Sequence, residues 1–272
     1  MAVGNPSQNV RRDSVKSVRR SGLGLAAAVV VLALVAVAAL RFIPAPLGSG
    51  APKSPGASEA TATVQRISAT FENIQQVWRG QFGSGYRPPD MTFSTGVAVG
   101  PCSGGAAATG PFYCPERVEA VFDLTFFGAL NARLRRNGDL GMALVVAMVS
   151  AAAVQDQLGL LDGAEAARRG AGTAAERRAV DEGLATQADC LAGVWAALAG
   201  DSVGPVPEGF YDQLIGIARN VMEDHASLAP DMPAGLDPFQ AASREMRQAN
   251  FAQGYGAADP AACLPEDAAA TR

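Results

Sequence analysis

Leu140–Gln155 reads LGMALVVAMVSAAAVQ, sixteen residues without a charge between Asp139 and Asp156. Wound as a helix, the run is apolar on nearly every side, so no face is left for water, and a helix of that kind has to be buried. A bilayer span needs about 20 apolar residues, and this run falls short of that. It is read as a central core helix on which the other elements pack.

On its N-terminal side, Glu119–Phe127 (EAVFDLTFF) is the best strand in the chain, β-branched and aromatic. It leads into a helix carrying Phe127, Leu130 and Leu134. Further upstream, Gly83–Pro115 is punctuated by Gly and Pro, with short strands expected at Met91–Ser94 and Val97–Val99. Ile67, Phe71, Ile74 and Trp78, at spacings of four, three and four, mark a helix over Val64–Phe82. On the C-terminal side, Gly159–Leu184 alternates small residues with Arg and Glu, the pattern of a solvated helix pair joined by a Gly turn. Gln187–Leu198 is apolar again and belongs on the core. Pro205 and Pro207 break the chain before an amphipathic helix carrying Phe210, Leu214, Ile217 and Val221, and Pro238–Tyr255 is read as the last helix.

The N-terminal end has a different character. Ser21–Leu40 is twenty uncharged residues, which at ~1.5 Å per residue span about 30 Å, a hydrocarbon core. Arg11, Arg12, Lys16, Arg19 and Arg20 against Asp13 give the first 20 residues a charge of +4, so the overall −4 leaves −8 for the rest. The positive-inside rule then puts residues 1–20 in the cytoplasm and everything after Arg41 outside. Ala36-Val37-Ala38 also fits a signal-peptidase site; the length of the apolar run favours a retained anchor. Residues 41–63, rich in Pro, Gly, Ser and Ala, read as a linker. The acidic body, with no basic stripe, argues against nucleic acid as a partner.

Cys102, Cys114, Cys190 and Cys263 all lie beyond the anchor, where an oxidising compartment makes disulfides the default. Four cysteines permit three connectivities and the sequence selects none of them; Cys102 with Cys114 and Cys190 with Cys263 is the pairing expected here. A four-cysteine zinc site is disfavoured because no short C-x2-4-C pair is present. The folded part has one histidine, His225, and no lysine after Lys53. That excludes a multi-histidine zinc site and Schiff-base chemistry. His225, in MEDHASLAP near the end of a helix, suits the helix dipole or a core edge better than catalysis. Adjacent carboxylates such as Glu223 and Asp224 do not face one site on a helix.

Several separated segments resemble the bacterial membrane-anchored neutral zinc metallopeptidase family. They are GPFYCP (Gly110–Pro115) with DLTFF (Asp123–Phe127), QADCLAGVWA (Gln187–Ala196), and DPAAC (Asp259–Cys263). Trp78, Tyr86–Pro89 and Phe93–Gly96 fit too, as does the N-terminal anchor. The resemblance implies a zincin-like α+β fold, mostly helical, with a small sheet beside the central helix. In the family that helix carries H-E-x-x-H, whose histidines bind zinc and whose glutamate activates water. Here Met148 and Ala152 stand at the histidine positions and Val149 at the glutamate. Ala185 stands where the third ligand is expected, Asp189 matches the carboxylate that steadies a zinc-bound imidazole, and a late H-G motif falls at about Ala241 and Ala242.

The expectation is a metallopeptidase-like domain over residues 64–264 with a tail at 265–272, held outside the inner membrane by one helix over 21–40. The zinc that the resemblance implies has lost its ligands, so no cofactor is expected. Function follows as a pseudopeptidase whose old substrate cleft takes a protein or peptide partner. The alternative is an active peptidase or hydrolase with a non-standard site built from His225, Asp189 and Glu223. Asp189, with its metal-bound partner gone, is expected to be an orphan acid, hydrogen-bonded to backbone or neutral.

Overall fold

In a computed structural model of the protein, which describes residues 56–233 and 236–265, the uncharged run is a helix from Gly138 to Gln157. Fourteen of its twenty residues are buried, which makes it core. The helical stretch Leu124–Gln157 is long and apolar enough to cross a membrane, but 72% of its most apolar window is buried inside the domain. The anchor, the basic segment before it, most of the linker and the tail after Pro265 lie outside the described residues.

In chain order the elements are α1 (Ala57–Phe82), β1 (Asp90–Ser94), β2 (Val97–Val99), β3 (Ala107–Thr109), β4 (Phe112–Cys114) and β5 (Glu119–Asp123). Six helices follow: α2 (Leu124–Leu134), α3 (Gly138–Gln157), α4 (Leu160–Gly170), α5 (Ala174–Leu198), α6 (Phe210–His225) and α7 (Arg244–Ala257). The architecture is mostly helical α+β. One sheet has the order β1-β5-β4, with β1 parallel and β4 antiparallel to β5; β2 and β3 form a separate antiparallel pair. The central helix α3 packs on α1, α2, α4 and α5 and on strands β4 and β5.

Polar side chains pin α3 to its neighbours. Gln155 donates to the Leu184 carbonyl and to Gln187 Oε1, both at 2.9 Å on α5. Tyr113 donates from β4 to Asp156 at 2.7 Å. Gln157 accepts from the Arg87 N–H and donates to its carbonyl, which fixes the loop after α1 against the end of α3.

Several boundaries differ from the sequence expectation. Helix α1 starts at Ala57, seven residues early, because Ala57–Thr63 contains good helix formers and Thr63 is already buried. The strand expected over Glu119–Phe127 stops at Asp123. There the buried carboxylate caps α2 by accepting from Thr125 N at 2.8 Å, so Leu124–Phe127 turn helical despite their β propensity. The same carboxylate accepts from Gly96 N, Gly110 N and the Thr109 hydroxyl, tying the turns before β2 and after β3 to α2. Strands β3 and β4, three residues each, carry too little pattern to be read from the sequence. The second half of the solvated pair and the apolar Gln187–Leu198 are one helix, α5, opened by a Thr173/Glu176 capping box. The last helix starts at Arg244, where Ser243 caps Met246 N, and not at Pro238.

The two disulfides join Cys102 to Cys114 and Cys190 to Cys263, the expected pairing, with Cα separations of 5.3 and 5.6 Å. The second lies where α5 and α7 cross at backbone distance. A Cβ on Gly254 would overlap the Cys190 carbonyl, and one on Gly193 would overlap that of Phe251. Gly254→Ala is therefore expected to cost about 1–3 kcal/mol. Gly80→Ala, on an open face of α1, should be neutral or slightly stabilising. Urea unfolding of the full chain in detergent, followed by circular dichroism, checks both.

Candidate functional site

A cleft of about 580 Å³ opens beside α3. Its floor is Met148, Val149, Ala152 and Gln155; Met148, Ala152 and Gln155 share one helix face through spacings of four and three. Phe112 and Tyr113 of β4, with the following Pro115 and Glu116, form one wall. A further wall comes from α4 and α5, where Asp181, Leu184, Ala185 and Ala188 repeat at helical spacing on α5. The segment leading into α7 contributes Asp237, Pro238 and Ala241. Met148, Val149, Ala152 and Ala185, distant by up to 37 residues in sequence, thus line one cavity. Met148 and Val149 are buried, while Ala152 and Ala185 are half-buried. Ala242 does not line the cleft.

Asp189, one helical turn beyond Ala185, is fully buried and is not an orphan. Arg247 of α7 donates to both carboxylate oxygens, Nε to Oδ2 and Nη2 to Oδ1, each at 2.7 Å. Tyr211 of α6 donates to Oδ1 at 2.6 Å. Arg247 is as buried as its partner. Its remaining N–H groups go to the Pro238 and Phe239 carbonyls, and Nη2 also lies 3.0 Å from Met148 Sδ. Burial pushes the Asp189 carboxyl above its ordinary range, against the pull of Arg247 and Tyr211. Burial works against the guanidinium's charge too, but the carboxylate outweighs it and holds Arg247 charged. Burial and the adjacent carboxylate push the Tyr211 phenol well up, which keeps it a donor. The expectation of an orphan acid bonded to backbone fails because Arg247 and Tyr211 take both carboxylate oxygens, a bidentate guanidinium matching a carboxylate in geometry and in charge.

Arg247 and Tyr211 were not identified from the sequence. The signal for Arg247 is present: it shares the buried stripe of α7 with Phe251 and Gly254, at spacings of four and three, where a charge is out of place unless paired. Tyr211 gives no comparable signal, since its ring stacks on Phe251 as any core aromatic would.

His225 and Glu223 are not part of this cleft. His225 is fully buried at the end of α6, with Nδ1 2.7 Å from the Val221 carbonyl. Cys102 lines the cleft near Glu116, and Cys102, Cys114 and Glu116 are the one group of three among the described residues whose ligand atoms approach within 4.8 Å of one another. Because the two sulfurs are bonded to each other, that group offers only a carboxylate.

A helical domain with a small mixed sheet, and a cleft walled by its central helix and an edge strand, is the setting in which the comparisons fall. The chain belongs to the family described as "Putative neutral zinc metallopeptidase", matching it over residues 13–265. It is similar to the uncharacterized protein YpfJ of Escherichia coli, 29% identical over 216 residues, which covers 77% of this chain and 72% of that one. It is also similar to the uncharacterized protein Rv2575 of Mycobacterium tuberculosis, 30% identical over 217 residues, 76% of this chain and 72% of that one. No solved structure matches it.

The zinc implied by the family description does not fit the residues present. Ala152, Ala185 and Val149 offer no donor atom, and the Met148 thioether, a soft neutral ligand, is engaged by Arg247. The nearby carboxylate of Asp189 has its oxygens occupied by Arg247 and Tyr211.

Removing one partner of the buried pair leaves a stranded charge. Arg247→Met is expected to cost about 3–5 kcal/mol, and Tyr211→Phe about 1–2 kcal/mol. Asp189→Leu combined with Arg247→Met should lose less than the two single changes added together. Equilibrium unfolding of the four variants, read as a double-mutant cycle, checks the coupling.

Proposed function

We propose that this chain is a membrane-anchored pseudopeptidase, a zincin-like domain outside the cytoplasmic membrane that holds a protein or peptide partner in its cleft without cutting it. One observation carries the reading: Met148, Val149, Ala152 and Ala185, the residues that the family resemblance puts at the ligand and base positions, converge on one cavity and coat it with aliphatic groups. A cavity whose floor positions carry Met, Val and Ala in place of metal ligands is suited to binding, because apolar groups line that floor without stranding unpaired polar atoms. A hydrolase built on His225 is disfavoured, since that side chain is enclosed in α6 and does not reach the cleft.

The anchor rests on the uncharged Ser21–Leu40 with its basic flank. Two disulfides support the extracytoplasmic side, since they persist in oxidising compartments. An alkaline phosphatase fusion after Pro265 should be active, and a cytoplasmic reporter fused there silent.

The full chain purified in detergent is expected to carry substoichiometric zinc by plasma mass spectrometry and to leave casein and peptide mixtures intact. One zinc per chain together with hydrolysis that a chelator abolishes overturns the proposal.

A further inference from the structure

The floor and the mouth of the cleft differ in chemistry. Met148, Val149, Ala152, Leu184 and Ala188 make the floor and inner wall apolar. Five carboxylates stand around them, Glu116 after β4, Asp162 and Glu165 on α4, Asp181 on α5 and Asp237 before α7, against a single cation, Arg168. Arg168 is already engaged, with Nε 2.6 Å from Asp181 and Nη1 3.7 Å from Glu165. Glu116 and Asp162 have no ion-pair partner among the described residues; Asp237 makes no salt bridge but feels the charges of Arg247 and Arg219, and the three come from separate segments of the chain.

Beyond residue 20 acidic residues exceed basic ones by 25 to 17, so five to one around one cavity is a local concentration within an acidic body. An excess of carboxylates around a cavity with an apolar floor sets up a negative potential there that favours entry of a cation. Burial pushes the Asp237 carboxyl above its ordinary range, with the Phe239 N–H, the Gln240 side chain and the charges of Arg247 and Arg219 opposing it.

We propose that the cleft's occupant is a cationic polypeptide segment, an apolar side chain seated on Met148, Val149 and Ala152 with Lys or Arg on both sides of it reaching Glu116, Asp162 and Asp237. That the carboxylates come from separate segments around the floor favours a chain with several cations over a single amine. The volume, about 580 Å³, is that of a site for a few residues. This inference rests on the cleft being a binding site, as proposed above, and adds the chemistry of what binds.

Three fluorescein-labelled peptides test it on the full chain in detergent: Lys-Arg-Leu-Phe-Arg-Lys, the same with Glu at the four basic positions, and the same with Ser there. Fluorescence anisotropy should show the basic peptide binding tightest, with affinity falling as salt rises. Glu116→Gln with Asp162→Asn, both exposed and away from the core, should weaken it about tenfold or more. Ala152→Phe, which fills the floor, should abolish it, while circular dichroism stays that of the parent. Equal binding of the three peptides, all blocked by Ala152→Phe, overturns the cationic occupant and leaves the binding cleft standing. No binding of any peptide overturns both. Displacement of the basic peptide by spermidine at equal concentration overturns the polypeptide in favour of a small polyamine.

Discussion

The buried pair of Asp189 and Arg247 is the constraint on which the rest of the helical domain depends. A carboxylate and a guanidinium out of water each cost several kcal/mol in solvation. The cost is offset here only because two parallel N–H bonds, the Tyr211 hydroxyl and two backbone carbonyls satisfy nearly every polar atom of the pair. Those partners come from α5, α6, α7 and the segment before α7, so all four have to be in place together. Arg219 of α6 adds to the same junction by donating to the Phe239 and Ala242 carbonyls. An interaction that fails unless every partner is in place favours one arrangement of helices over its near neighbours.

The cleft takes its form from this junction. Asp189 and Arg247 hold α5 and α7 against the Met148 end of the floor, and Gln155 ties the other end of the floor to α5. Between those two fastenings, α3 and α5 present only small or aliphatic side chains, and the space left between them is the cavity. The close crossing at Gly193 and Gly254, reinforced by the Cys190–Cys263 disulfide, sets how near α7 can come. Rigidity around an apolar floor suits recognition better than it would suit an emptied, collapsible core, because a preformed cavity spends little binding energy on reorganisation.

The helices were legible in the sequence because their signals are local. An uncharged run, an apolar stripe at spacings of three and four, or a proline break can be read within a dozen residues, and α3, α6 and the solvated α4–α5 hairpin were read in that way. The strand ending at Asp123 was misread for a physical reason: the side chain that ends it makes its decisive bonds to Gly96, Thr109 and Gly110, which are remote in sequence, as well as to Thr125. The cleft was legible in part. Its floor positions came from the family resemblance, whereas its acidic mouth is assembled from β4, α4, α5 and the chain before α7, and no window of sequence contains it.

By itself, then, the sequence determined that a buried apolar helix stands at the centre, that donor atoms are missing from it, and that four cysteines belong to the same part of the chain. These are properties of residue type and short-range order, and no packing changes them. The tertiary structure decided that Met148, Val149, Ala152 and Ala185 face one cavity and that carboxylates crowd its mouth. It also decided that Asp189 is matched by Arg247 across 58 residues of chain. Pairing of this kind is set by distance in space, through the fall of Coulomb and hydrogen-bond energy over a few ångströms, and distance in space becomes defined only once α5 and α7 have crossed.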